Sequence, residues 1–80
     1  MYENSYKEGV KDLYKNLEAE MTRFDVKQQD LADLLNITLG TMNLKMNGKA
    51  RITLDEAQSI REFMQTKTDK YLSVDYLFKR

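Results

Sequence analysis

Residues 27–49 read KQQDLADLLNITLGTMNLKMNGK, and this stretch predicts two short helices joined by a tight turn. Leucine and alanine recur at spacings of three and four between Leu31 and Leu35, which is typical of a helix with one buried side. We therefore expect the first helix from Gln28 to Leu35. Asn36 follows it, and asparagine accepts the left-handed backbone conformation better than most residues that carry a side chain. The helix should end there in a tight turn, before a buried Ile37.

The second helix of the pair is marked at both of its ends. Thr38 is a good N-cap, and a helix from Leu39 to Met46 places Met42 and Met46 four residues apart on one buried side. The dipeptide Asn47-Gly48 should end this helix, because glycine readily adopts the left-handed conformation that closes many helices.

Three more helices are expected around this pair. Apolar residues recur at helical spacing from about Ser5 to Phe24, at Val10, Leu13, Leu17, Met21 and Phe24. A capping box, Thr53-Leu54-Asp55-Glu56, predicts a helix that runs to about Gln65. After a polar loop, Ser73 can cap a last short helix that contains Val74, Leu77 and Phe78. No strand-like alternation is visible, so residues 1–80 are expected to form a single all-α domain.

The composition argues against an enzyme. The chain has no histidine and no cysteine, so the usual general base, the usual zinc ligands and disulfides are missing. No glycine-rich phosphate loop or calcium-loop pattern is present either. We expect no catalytic residues, no metal and no cofactor. The carboxylates of Glu18, Glu20, Asp30 and Asp33 are interpreted as solvated helix surface.

The amino terminus lacks the features of a signal peptide, and no apolar run approaches the roughly 18 residues that span a bilayer. With no cysteine, the chain fits a reducing compartment, and the cytoplasm is its expected location without membrane contact.

The charges are balanced overall but unevenly distributed. Thirteen basic and 13 acidic residues give a net charge of zero, which gives no global sign of a polyanionic partner. No acidic residue lies between Asp33 and Asp55, whereas Lys45, Lys49 and Arg51 do. This local excess of positive charge has two interpretations: a footprint for nucleic acid, or ordinary charges that keep a surface solvated.

The segment KQQDLADLLNIT, residues 27–38, resembles the phage repressor and Cro family, also called the XRE family. That family's second helix and turn typically read Thr-Gln-x-x-Leu-Ala-x-x-Leu-Gly-Ile-Ser, and the matching positions here are Gln28, Leu31, Ala32, Leu35, Ile37 and Thr38. Residues 40–49, 53–57 and 73–78 are similar to the family's recognition helix, next helix start and closing segment. The resemblance implies a compact five-helix lambda-repressor-like domain with a central helix-turn-helix at about residues 27–48.

The resemblance also implies a function, that of a phage or prophage Cro/repressor-type transcriptional regulator. Its recognition helix, about residues 38–46, would lie in the major groove of a double-stranded DNA operator. The implied base contacts are Leu39, Gly40, Asn43 and Leu44, of which Asn43 is the best hydrogen-bonding candidate because its amide can pair with adenine. The implied phosphate contacts are Gln28, Thr38, Thr41, Lys45, Lys49 and Arg51.

Two groups of apolar residues leave alternatives open. Three roles fit Leu39 and Leu44: partial burial against a neighbour, contact with a thymine methyl group, or a patch that binds protein. The last role motivates an alternative function, a helix-turn-helix scaffold that acts as a protein-binding antirepressor or as an inhibitor of a host factor. The carboxyl-terminal segment, residues 71–80, either caps the core or forms a homodimer contact through Tyr71, Leu72, Tyr76, Leu77 and Phe78. A homodimer would present two recognition helices to half-sites roughly 34 Å apart.

Overall fold

The computed structural model describes residues 13–80, and these form five α-helices and no strand. The helices are α1 (Lys15–Phe24), α2 (Gln28–Leu35), α3 (Leu39–Met46), α4 (Leu54–Gln65) and α5 (Val74–Leu77). The all-α fold class is therefore confirmed, and α2, α3 and α4 have the bounds that the sequence predicts. None of the helices within residues 13–80 combines the length and the apolar composition that crossing a membrane requires.

The first helix begins later than the periodicity predicts. The expected helix started at about Ser5, and its residues 5–12, with Val10, lie outside the described residues. Leu13 and Tyr14 precede α1, and Tyr14 is its N-cap with φ −110° and ψ 76°. Leu13 still packs against the core from this non-helical position. Leu13 and Leu17 are four residues apart because both pack on the same side of the chain. The prediction interpreted this spacing as a continuous helix.

The turn between α2 and α3 is short and closed by backbone hydrogen bonds. Asn36 has a φ of 60°, as expected for a residue that ends a helix in the left-handed conformation. The Ile37 amide donates to the Ala32 carbonyl at 3.0 Å, which closes the last turn of α2. Only three residues, 36–38, separate the two helices, and Ile37 is partly buried against the core.

Side-chain caps begin the last three helices, as the sequence predicts. Thr38 caps α3. Thr53 and Glu56 form the capping box of α4: the Glu56 amide donates to Thr53 Oγ1 at 3.2 Å, and the Thr53 amide donates to Glu56 Oε1 at 3.0 Å. Ser73 Oγ accepts from the Tyr76 amide at 3.0 Å at the start of α5. Each such cap contributes about 1 kcal/mol to helix stability.

The core lies where α2 packs on α3 and α4, and where α5 packs on α1 and α4. Met42 and Met46 are fully buried, so their prediction as core residues is confirmed. The other buried apolar side chains in this cluster are Tyr14, Leu17, Met21, Val26, Leu31, Ala32, Ile60, Met64, Leu72 and Leu77. Because α3 is held through its methionines, its opposite side is left to face outward.

The carboxyl-terminal segment contributes to this core, which corrects part of the homodimer prediction. Leu72 and Leu77 are buried, so in this fold they have no surface with which to contact a second copy. Phe78 is partly buried and packs edge-to-face on Tyr14, with 5.4 Å between the ring centroids. Tyr71 and Tyr76 are exposed. For Leu72 and Leu77 the structure thus supports the core-capping interpretation.

Candidate nucleic-acid interface

The outward side of α3 carries all four residues that the sequence analysis predicts as base contacts. Gly40 and Asn43 are exposed, and Leu39 and Leu44 are 46% and 45% exposed. Positions i, i+1, i+4 and i+5 of a helix lie along one strip, so these side chains form a single surface. We call this strip, made of Leu39, Gly40, Asn43 and Leu44, the α3 face. The strip faces solvent, whereas Met42 and Met46, which hold α3 in place, are buried.

A chain of amide side chains joins the α3 face to the start of α2. Asn43 Nδ2 donates to Gln28 Oε1 at 3.4 Å, and Asn47 Nδ2 donates to Asn43 Oδ1 at 3.0 Å. Gln28 is the first residue of α2, so these contacts hold the beginning of α2 beside the middle of α3. A primary amide has two N–H donors and two acceptor lone pairs. Asn43 therefore keeps one donor and one lone pair for an external group.

Asn47 was missed as a member of this site. The dipeptide Asn47-Gly48 predicts only the helix end, and Asn47 is the C-cap of α3. The signal that could have found it is the four-residue spacing from Asn43, since side chains at i and i+4 meet on a helix surface. Through this contact Asn47 orients the amide of Asn43.

The amino-terminal end of α3 has no acidic residue in its first turn. Thr38 Oγ1 accepts from the Thr41 amide at 3.1 Å, and the Thr38 hydroxyl also donates to Thr41 Oγ1 at 3.0 Å. The positive end of the α3 dipole is therefore not neutralised by a carboxylate of its own helix. This leaves a weakly positive helix end beside two threonine side chains.

The structure separates Lys45 from the other two predicted cations. Lys45 Nζ lies 3.1 Å from Glu56 Oε1 and donates to the Arg51 carbonyl at 2.8 Å, and its side chain is only 12% exposed. Lys49 and Arg51 are exposed in the loop that follows α3. Of the local charge of +3 predicted from the sequence, two cations thus face solvent, and the third joins α3 to the start of α4.

Glu56, the partner of Lys45, is held in its ionised form. The hydrogen bond from the Thr53 backbone amide is the main cause that lowers the pKa of Glu56 below its usual value of 4.5. The bond to Lys45 and its charge lower this pKa further, whereas partial burial opposes them. The ionised carboxylate keeps Lys45 in place, and Lys45 in turn holds the backbone at Arg51.

A buried carboxylate, that of Glu20, lies on α1 where α1 packs on α5. The expectation that Glu20 is solvated is therefore wrong. Glu20 is 1% exposed, with Oε1 accepting from Arg23 Nη1 at 2.8 Å and Oε2 from the Tyr76 hydroxyl at 2.7 Å. Asn16 Nδ2 adds a bond to the Tyr76 carbonyl at 2.8 Å. The bond to Glu20 is the main cause that raises the pKa of Tyr76. These contacts attach α5 to α1 and lie on helices that do not carry the α3 face.

No group of three or more acidic side chains within residues 13–80 is placed to hold a metal ion. Comparison of the chain with known protein families, with curated protein sequences and with solved structures gives no match. The function therefore has to be inferred from the α3 face, the amide chain beside it and the two exposed cations that follow it.

Proposed function

We propose that this protein is a sequence-specific DNA-binding transcriptional regulator of the phage or prophage Cro/repressor type. In this proposal α2 and α3 act as a helix-turn-helix, and α3 enters the major groove of an operator. The observation that carries the proposal is the α3 face, an exposed strip on a short helix whose other side is locked into the core. An α-helix with its side chains is about 10–12 Å in diameter, which fits a major groove about 12 Å wide.

The residues next to the α3 face suit contacts with the phosphates of a DNA backbone. Lys49 and Arg51 follow α3 as exposed cations, and no acidic residue lies between Asp33 and Asp55 to oppose them. In the proposed complex Gln28, the first residue of α2, meets a phosphate through its side-chain amide N–H groups. Lys45 supports these contacts indirectly in our proposal, because its bond to the Arg51 carbonyl positions the loop.

The proposal includes a homodimer, at least on DNA, because two copies would meet the two halves of an operator. The predicted dimer contacts that remain exposed are Tyr71 and Tyr76. Leu54, at the start of α4, adds an apolar side chain that is 65% exposed. These residues are the first candidates for the contact between copies.

A second candidate function rests on the apolar character of the α3 face. Leu39 and Leu44 expose nearly half of their surface at its two ends, and such side chains also suit a protein partner. In that case the protein would be an antirepressor or an inhibitor of a host factor, and its binding would not depend on Lys49 or Arg51. Salt dependence distinguishes the two functions.

The test is fluorescence anisotropy of a labelled duplex, titrated with protein at several salt concentrations. The wild type is compared with a Lys49→Gln/Arg51→Gln variant and with a Lys70→Gln/Lys79→Gln variant, a matched control that loses the same charge at exposed positions elsewhere. Each lost phosphate contact should lower the slope of log affinity against log salt by about 0.9, so the first variant should lose about 1.8. The control should keep the wild-type slope.

Enrichment of one sequence from a random DNA pool would then establish specificity. Equal slopes for both variants would mean that binding is diffuse charge attraction, which contradicts the proposed interface. A folded protein that binds no duplex at low salt would overturn the DNA-binding proposal and favour the protein-binding alternative.

A further inference from the structure

None of the four residues of the α3 face carries a charged side chain. Lys45 is the only basic residue in α3, and its ammonium group is bound to Glu56. Arginine or lysine bound to guanine O6 and N7 is the commonest specific contact in the major groove. The α3 face therefore has no donor for that contact, and its chemistry must select other base edges.

The one hydrogen-bonding side chain on the α3 face suits adenine. Asparagine can donate to adenine N7 and accept from adenine N6 at the same time. Asn43 has one N–H and one lone pair left after its bonds to Gln28 and Asn47, which is the number that this pairing needs. The amide chain also restricts the rotation of Asn43, so less side-chain entropy is lost when a base binds.

The two leucines suit the 5-methyl group of thymine, the one apolar group that a standard base pair presents in the major groove. Leu39 and Leu44 lie five residues apart, which is about 7.5 Å along a helix axis. Base pairs are about 3.4 Å apart, so this separation corresponds to roughly two base-pair steps. Both leucines can therefore meet methyl groups within one short half-site, with Asn43 between them in the chain.

We infer that the α3 face reads A·T base pairs, through the methyl groups of two thymines at Leu39 and Leu44 and through an adenine at Asn43. This inference rests on the proposed DNA-binding function. It assigns selectivity to apolar contact with methyl groups, whereas Lys49 and Arg51 supply affinity that does not depend on sequence. The expected half-site contains at least two A·T pairs within a few steps, since the adenine can be the partner of one of the thymines.

The experiment replaces thymine by deoxyuracil, one position at a time, in a duplex enriched by the protein from a random pool. Deoxyuracil lacks only the methyl group and keeps the hydrogen-bonding edge. Two positions should each weaken binding about fourfold, the effect of leaving one methyl group in water, and both together should weaken it about 15-fold. Deoxyuracil at the remaining thymines should have no effect.

A Leu39→Ala/Leu44→Ala variant, shown to be folded by circular dichroism, should bind the thymine and deoxyuracil duplexes equally. Leu34→Ala is the matched control, because this leucine is 40% exposed on α2, outside the α3 face, and its removal should preserve the fourfold differences. Salt-dependent binding that ignores every deoxyuracil, or enrichment of a G·C half-site, would overturn the methyl inference and leave the DNA-binding proposal standing. Absence of any duplex binding would overturn both.

Discussion

Tyr76→Phe removes a single oxygen atom and tests the buried Glu20 carboxylate directly. The lost bond is an O–H···O⁻ contact of 2.7 Å to a side chain that is 1% exposed. Hydrogen bonds to charged groups contribute about 1.5–3 kcal/mol. Because Tyr76 is itself 36% exposed, water can reach part of the site, and we expect a loss near the lower end, about 1.5 kcal/mol.

The loss is measured by thermal and urea denaturation followed by circular dichroism. In a domain of this size, each kcal/mol lowers Tm by about 4–8 °C, so Tyr76→Phe should lower it by roughly 6–12 °C. Tyr71→Phe is the matched control, since it removes the same atom from a side chain that is 71% exposed. Its effect should stay within about 0.5 kcal/mol.

A double-mutant cycle with Glu20→Gln identifies the partner. A neutral amide accepts a hydrogen bond roughly half as strong as a carboxylate does, so Tyr76→Phe should lose only about half as much stability in the Glu20→Gln background. Equal losses in both backgrounds would refute the assigned contact. So would a Tyr76→Phe variant that is no less stable than Tyr71→Phe.

Four further substitutions test the rest of the fold. Gly48→Ala should destabilise by about 1–2 kcal/mol, because φ is 80° and the added Cβ would lie 2.6 Å from Leu13 Cδ2. Gly40→Ala should stabilise α3 by about 0.5–1 kcal/mol, because its Cβ would meet nothing closer than 3.9 Å. Equal effects of the two alanine substitutions in urea denaturation would contradict the strained conformation assigned to Gly48 and the open surroundings assigned to Gly40. Glu56→Gln should make the free energy of unfolding depend less on pH in the acidic range. The lowered folded-state pKa means that Glu56 stabilises above its unfolded pKa of 4.5 and that this contribution disappears as the pH falls through the folded value. Urea denaturation at pH 5.5 and below pH 4 measures this, and parallel profiles for wild type and variant would contradict the lowered pKa of Glu56, since glutamine can still form the capping box. Leu77→Ala should destabilise by about 2–5 kcal/mol, whereas unchanged stability with a changed oligomeric state would restore this leucine as a dimer contact.

The sequence by itself determined the helix pair and its boundaries. Asn36, Thr38 and the Thr53–Glu56 box each act on backbone groups within about four residues, so their effects are encoded locally. The bounds of α2, α3 and α4 follow from such signals. The start of α1 does not, because a helical spacing of apolar residues also arises when a residue outside the helix packs on the same side of the chain.

Tertiary structure decided which charges and apolar groups remain available at the surface. Glu20 is buried because Tyr76, 56 residues away, donates to it, and Lys45 is removed from the predicted phosphate contacts by Glu56, 11 residues away. Leu77 likewise belongs to the core because α5 packs against α1 and α4. No local pattern distinguishes a solvated lysine from a paired one, since the free energy of a charge depends on the partners and the water that the folded chain places around it.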